Sequence, residues 1–275
     1  MNARMIQGDL DAIFADVSRR QRHGLIVAGV GFAVLGWAFA YGGAFDLRRY
    51  GDALPTIVQL AGDAMPPDFS RWTQWGKPLL ETLAMSVAGT ALAAIAAMPL
   101  AVLAARNVVR QPWLGEPVRL ALNGIRSVPG LIWGVMFVAA VGFGPLPGIL
   151  ALATHSTGML AKLFAETLEH VDPAPGDAMR SHGVSRVGVL RFSVLPQILP
   201  RLVDVTLYRW EHNLRAATTL GMVGAGGLGL EVITAFHLFE YQEASALIIV
   251  LLGLVTGINV AGGFVRGRFL GGASR

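Results

Sequence analysis

Four long uncharged runs dominate the chain. Residues 24–43, 82–105, 127–161 and 244–265 carry no Asp, Glu, Lys or Arg over 20, 24, 35 and 22 positions respectively. About 20 apolar residues take an α-helix across a bilayer, so each run predicts a spanning helix. The third run is too long for one span. It is interrupted by Gly142-Phe143-Gly144-Pro145-Leu146-Pro147-Gly148, a dense turn signal, and reads as two helices joined by a very short loop. A sixth stretch, 202–220, is long enough to span but contains Asp204, Arg209, Glu211 and Arg215.

The distribution of basic residues favours counting that stretch as a span. With six spans and the N-terminus inside, the inner segments 1–23, 106–119, 167–201 and 266–275 hold four, three, four and three basic residues. The outer segments 44–78, 143–147 and 221–243 hold four, none and none. Inner loops of membrane proteins carry the excess of Lys and Arg. Five spans would put Arg266, Arg268 and Arg275 outside. The expected architecture is therefore all-α, with six transmembrane helices and both termini cytoplasmic. Residues 1–23 form a short inner segment and 24–275 the membrane domain. Residues 1–23 contain acidic groups and precede an apolar run too long for a signal-peptide core, so they do not read as a signal peptide. The largest outer segment, 44–78, reads as a polar loop.

Composition narrows the function. The chain is 53% hydrophobic and 15% charged, against about 25% charged for a soluble domain. Its 34 glycines suit close helix packing in lipid. It has no cysteine, which excludes disulfides, thiolate metal sites and cysteine nucleophiles. The net charge of +4 follows from topology rather than from nucleic-acid binding, since no basic surface interleaved with aromatics is present. The six histidines lack metal-ligand spacing, and His155 reads as a helix-buried polar group. Gly224 to Gly229 match G-x-G-x-x-G, but they follow a membrane helix rather than a strand and predict an irregular turn, not a dinucleotide site.

Two segments carry candidate chemistry. In the inner loop, Pro175 and Gly176 precede a short helical stretch with Asp177 at its start, where a carboxylate complements the helix dipole. Gly183 interrupts it, Val184, Val187 and Leu190 resume at helical spacing, and Pro196 and Pro200 end the unit. This predicts a helix–turn–helix on the membrane surface. In the fifth span, Glu211 and Arg215 are four apart, as are Arg209 and Asn213, and one helical face can pair them. Arg126 and Lys162 lie near span ends. Charges within a bilayer face a partner or a cavity, and the Arg fork matches phosphate-like oxygens. Two readings stay open: Arg126, Ser127, Arg209, Glu211, Asn213 and Arg215 form a polar path for an anion, or Glu211–Arg215 is a structural pair while Arg126 and Lys162 snorkel to the interface.

These residues carry a family resemblance. Asp177-Ala178-Met179, Gly183, Ser193, Leu195 and Pro196 fall on the spacing of the coupling loop of importer permeases: Glu-Ala-Ala, three residues, Gly, nine residues, Ile, one residue, Leu-Pro. Ala178, Gly183 and Leu195-Pro196 match it. Asp177 replaces Glu, and Met179 and Ser193 depart. Over most of 65–265 the chain resembles phosphonate permeases, with the same fold as methionine-importer permeases. The resemblance rests on Pro66-Pro67-Asp68-Phe69-Ser70, Glu81-Thr82-Leu83-Ala84-Met85, Arg126-Ser127-Val128-Pro129, residues 208–217 and residues 220–229.

The resemblance implies the transmembrane subunit of an ATP-driven importer in a bacterial plasma (inner) membrane. It implies a homodimer in lipid, two ATP-binding subunits and an extracytoplasmic phosphonate-binding protein that docks near residues 66–75. Asp177, Ala178, Arg180, Gly183, Leu195 and Pro196 are then the coupling contacts within 167–200. No cofactor is expected in this chain, because ATP and Mg belong to the partner ATPases. The other readings are an importer of phosphate, phosphite or another small oxyanion, or an ion-coupled transporter or membrane enzyme.

Overall fold

A computed structural model describes residues 3–270, which divide at Gly62 into two units. In the first, α1 (Ala3–Tyr41) runs unbroken through position 24, so the expected inner segment and first span share one helix. The turn at Gly43, with φ +73°, leads to α2 (Leu47–Asp63). The segment expected as a polar loop is thus largely helix. Leu47, Leu54, Ile57 and Val58 recur at helical spacing among Arg48, Asp52 and Gln59, a pattern that averages to low hydropathy but folds as an amphipathic helix.

The second unit opens with residues 64–75 laid against the start of α11 (Tyr241–Leu270). Asp68 N–H donates to the Gln242 carbonyl at 3.0 Å, Arg71 pairs with Glu243 at 2.7 Å, and Trp75 Nε1 donates to Glu243 at 3.3 Å. The helix α3 (Gly76–Ala104) follows. Its Thr82, Ser86, Gly89, Thr90, Ala93, Ala97 and Ala101 are all buried and recur every three or four residues. Small side chains on one stripe let neighbouring backbones approach without a hydrophobic driving force between helices. The neighbour is α6 (Pro145–Glu169): a Cβ on Gly89 would stand 2.7 Å from the Leu152 side chain.

Between them lie α4 (Pro112–Ser127) and α5 (Gly130–Val141), which meet at 87°. The sequence predicted one straight span here. Val128 precedes Pro129, whose ring disfavours helical ψ at the preceding residue, and Val128 is extended at φ −83°, ψ 121°. Arg119 Nη1 donates to the Ala104 carbonyl at 2.8 Å, closing the end of α3. Glu169 accepts from Arg106 N–H at 2.7 Å, tying the end of α6 to the same place.

The inner loop holds α7 (Pro173–Ser181) and α8 (Arg186–Val189), separated by Gly183 at φ +77°. The N-cap of α7 is Asp172, which accepts from Ala174 N–H at 3.0 Å, not Asp177 as expected. Pro173 supplies the fixed φ of a first helical residue, so Pro175 and Gly176 lie inside the helix rather than before it. Pro196 and Pro200 do not end the unit either. A π-turn over Leu190–Val194 passes into α9 (Leu195–Leu220) with Pro196 in its first turn, where its missing N–H costs least. The fifth span is the upper part of one helix that starts in the loop.

A second π-turn, Gly221–Ala225, ends α9, and α10 (Gly227–His237) leaves at 57° to it. The expected outer piece 221–243 is thus mostly a packed helix, with Leu228, Val232 and Ala235 buried against Ala244 and Leu247 of α11. Glycine is required at this turn: a Cβ on Gly221 would meet the Gly226 carbonyl, and one on Gly229 the Thr218 carbonyl.

Ala97 and Ala101 of α3, Leu160 and Phe164 of α6, and Leu202 and Val205 of α9 form one end of the core. By length and apolarity alone, three described helices can cross a membrane, or five if each bent pair is one span. The bent pairs are α4 with α5, and the helix through α9 with α10. α6, expected as the fourth span, is not among them. Its His155, Ser156, Thr157, Lys162 and Glu166 dilute its hydropathy, yet Ala151, Leu152, Leu160, Ala161 and Phe164 are buried.

Candidate functional site

A polar seam crosses the interior where α3, α6 and α9 meet. Arg209 Nε donates to Ser156 Oγ at 2.9 Å, Ser156 Oγ donates to Asn213 Oδ1 at 2.9 Å, and Asn213 Nδ2 donates to Thr90 Oγ1 at 2.9 Å. Thr90 Oγ1 donates to the Ser86 carbonyl at 2.6 Å, and Trp210 Nε1 donates to Ser86 Oγ at 3.2 Å. Asn213 and Ser156 are wholly buried. A buried polar group is costly unless partnered, and every link here donates to an acceptor. Asn213 is thus a structural clamp between α9 and α3. The pairing of Arg209 with Asn213 foreseen from their spacing runs through Ser156.

Glu211 pairs differently from expectation. Its partner is Arg266 of α11 at 2.8 Å, not Arg215. Arg215 is exposed and, among the described residues, reaches Asn259 Oδ1 at 3.4 Å. Helical spacing allows a pair one turn away, but Gly262 lets α11 come close beneath the Glu211 carboxyl. Arg266, assigned from sequence to an inner tail, is an ion-pair partner of the bundle.

Arg209 itself is 5% exposed. Among the described residues only its Nε has a hydrogen-bond partner, and no carboxylate stands within ion-pair distance of it. It lines a cavity of about 160 Å³ with His155, His212, Gly130 and Leu131. His155 Nδ1 is buried without a partner. Gly130 and Leu131 are the first residues of α5, whose N-cap Pro129 offers no side-chain acceptor. The first amides of a helix point outward unpaired and attract anions. His212 and Thr219 are exposed, so the cavity opens at the surface of the chain. Sequence reasoning found Arg209 and took His155 for a helix-buried polar group, and it passed over His212 and the start of α5.

Arg126 and Ser127 lie outside this cavity. Arg126 packs over Gly158 with its Nε buried and unpartnered, and Ser127 is exposed and donates to the Asn123 carbonyl at 2.9 Å. Lys162 pairs with Glu166 at 3.4 Å on the surface of α6.

Two resemblance segments meet at the head of α10. Glu81 Oε2 accepts from Gly227 N–H at 3.0 Å and Thr82 Oγ1 from Leu228 N–H at 2.9 Å, so α3 caps α10. The carbonyl of Gly224 accepts from Gly144 N–H at 3.1 Å, joining the same turn to the α5–α6 loop.

In the inner loop, Asp177, Ala178, Arg180 and Gly183 are exposed, as are Leu195 and Pro196. Asp177 and Arg180 pair at 2.6 Å on the outer face of α7. The unit is tied to α9: Gln197 Oε1 accepts from Asp172 N–H at 3.0 Å, and its Nε2 donates to the Ser193 carbonyl at 3.0 Å. Gly176 packs on Val189 and Ser193. Val187, 74% exposed, Leu190 and Phe192 present an apolar edge beside α7.

A bundle of apolar helices with a polar seam inside and a rigid exposed helix pair fixed to one span defines a membrane permease. The chain belongs to the family of binding-protein-dependent transport system inner membrane components, whose description matches residues 97–269. It is 49% identical over 238 residues to the phosphite transport system permease protein PtxC of Stutzerimonas stutzeri, covering 86% of each chain. It is 41% identical over 209 residues to the phosphate-import permease protein PhnE of Mycolicibacterium smegmatis, covering 76% of this chain and 39% of that one. Among solved structures, the inward-facing MetNI methionine ABC transporter aligns with TM-score 0.63 at 22% identity over 73% of this chain and 99% of that one. That likeness is one of fold. The chain is the non-catalytic, multi-pass subunit of an ATP-binding-cassette importer of the inner membrane, of the phosphonate-permease kind, and ATP hydrolysis belongs to its partners.

Proposed function

We propose that two copies of this chain enclose the path by which a phosphonate crosses the plasma membrane. The observation that carries this reading is the buried Arg209 guanidinium, which faces a cavity without a carboxylate to neutralise it. A buried cation without an acidic partner is costly, and an anionic cargo supplies the missing charge in passing. Arg126, Ser127, Glu211, Asn213 and Arg215 then serve the path at different removes: Glu211 and Asn213 hold the helices, and Arg215 stands on the exposed face. That face argues for the second copy. His212, Arg215 and Thr219 are polar and exposed on a spanning helix, and such groups face a protein partner or water rather than lipid.

In this reading six spans cross the membrane with both termini inside. The ATPase docks on Asp177, Ala178, Arg180 and the neighbouring Gly183 turn, with Leu195 and Pro196 at the root of α9. Because Gln197 fixes the head of α7 to α9, movement of the docked ATPase passes directly to the helix that carries Arg209. Residues 66–75, pinned to α11 through Glu243, receive the binding protein. Phosphite is the second reading, favoured by the 49% identity to a phosphite permease.

The test is uptake of labelled methylphosphonate, phosphite and phosphate into liposomes carrying the permease, its ATPase and its binding protein. ATP-dependent uptake of methylphosphonate supports the first reading and uptake of phosphite alone the second. ATP-independent uptake would overturn both.

A further inference from the structure

The cavity beside Arg209 has a mixed lining. Its polar residues come from three elements. These are Arg209 and His212 on α9, His155 on α6, and the start of α5 at Gly130 and Leu131. The rest of the lining is apolar, from Ala151, Leu152, Ala216 and Leu220. The Thr219 hydroxyl is turned away, donating to the Ala216 carbonyl at 2.8 Å. Neither Asp nor Glu lines the cavity.

We infer that this cavity holds the transported oxyanion by three of its oxygens and turns the fourth substituent on phosphorus to the apolar wall, so that the permease itself discriminates phosphite and alkylphosphonates from phosphate. The inference rests on the proposed function and assigns the selectivity of the same path. A P–H or P–CH₃ group loses nothing against Leu152 and Leu220. Phosphate would place a fourth oxygen there, stripped of water and without a donor. An apolar wall rejects a near-isostere that bears one more hydroxyl by up to about a hundredfold. The volume of about 160 Å³ suits a tetrahedral ion with little water rather than a large organic solute.

The experiment is equilibrium binding of labelled phosphite, methylphosphonate and phosphate to the assembled permease–ATPase complex in nanodiscs, without the binding protein. Phosphite and methylphosphonate should each bind at least about tenfold more tightly than phosphate. Leu131→Gln keeps the α5 amide and adds an amide donor to the lining. It should tighten phosphate alone and bring the ratio to within about threefold. Arg209→Lys and His155→Phe should weaken all three probes together, whereas a purely structural role would change assembly and leave binding by the assembled complex unaltered. Equal binding of the three anions to the unmodified complex, no binding of any, or an unchanged ratio in Leu131→Gln would each overturn the inference. Selective ATP-driven uptake through the full importer alongside equal binding here would leave the importer reading standing and move selectivity to the binding protein.

Discussion

The Glu211 carboxylate stands 2.8 Å from Arg266, a residue 55 positions away in sequence, and turns away from Arg215 on its own helix. This contact fixes the C-terminal half of α11 to the middle of α9. Removing Arg266 leaves a buried carboxylate without its counter-charge. Arg266→Ala should therefore cost about 2–3 kcal/mol of stability, with the partial exposure of Arg266 keeping it below a fully buried pair. Arg215→Ala should cost well under half as much. Thermal unfolding of the detergent-solubilised chain checks the order, and an Arg215 variant less stable than the Arg266 variant would contradict it.

The seam offers a second test. Ser156 both accepts from Arg209 and donates to Asn213. Ser156→Ala should leave two buried groups unpaired and cost about 1–3 kcal/mol. Thr90→Val strands one buried group, Asn213 Nδ2, rather than two, so its effect should be smaller. A double-mutant cycle between Ser156 and Asn213 reads the coupling, and simple additivity would show that the seam is not one network.

At the foot of α9, the cap assignment separates two aspartates that sequence alone confused. Asp172→Ala should loosen α7 by about 1 kcal/mol, since its carboxylate holds the Ala174 amide. Asp177→Ala should leave the helix intact. Amide exchange across α7 measures both. Asp177→Ala combined with Arg180→Ala should instead lower ATPase stimulation in the full complex, because those exposed side chains lie where the ATPase is proposed to dock.

Gly183 has open space around it and a φ of +77°, so backbone conformation rather than crowding decides what can replace it. Gly183→Asn should retain coupled transport, since Asn tolerates the left-handed region. Gly183→Val should lose it while the chain still assembles. By contrast, Gly229→Ala should impair folding, because the added carbon meets the Thr218 carbonyl, and Gly253→Ala should be silent. Yield of folded protein and ATP-driven uptake distinguish the two kinds of glycine.

Much of this was legible in the sequence, for reasons that also explain what was not. The uncharged runs located α1, α3, α5, α6 and α11 because burial in lipid demands apolar length. The Gly183 turn was read from a local backbone rule; the Val128-Pro129 step obeys one too but was not read as a break. The stripe of Thr82, Ser86, Thr90 and Ala93 could have been read as a packing face, and its hydroxyls as partners for Asn213. Arg266 as the partner of Glu211 could not, because helical spacing names only neighbours on the same helix. Nor could the cavity. His155 became part of it through the bend before Gly130, which aims the start of α5 across α6 toward Arg209. A tertiary angle of 87° has no signature in residue order beyond the proline that permits it.

The central claim is that this chain conducts a phosphorus oxyanion past Arg209. The most direct measurement is ATP-driven uptake of labelled methylphosphonate and phosphite into proteoliposomes carrying the full importer, comparing the unmodified chain with Arg209→Gln. Uptake is expected in the first and its loss in the second, with assembly and basal ATPase activity retained. Undiminished uptake by a correctly assembled Arg209→Gln importer would contradict it.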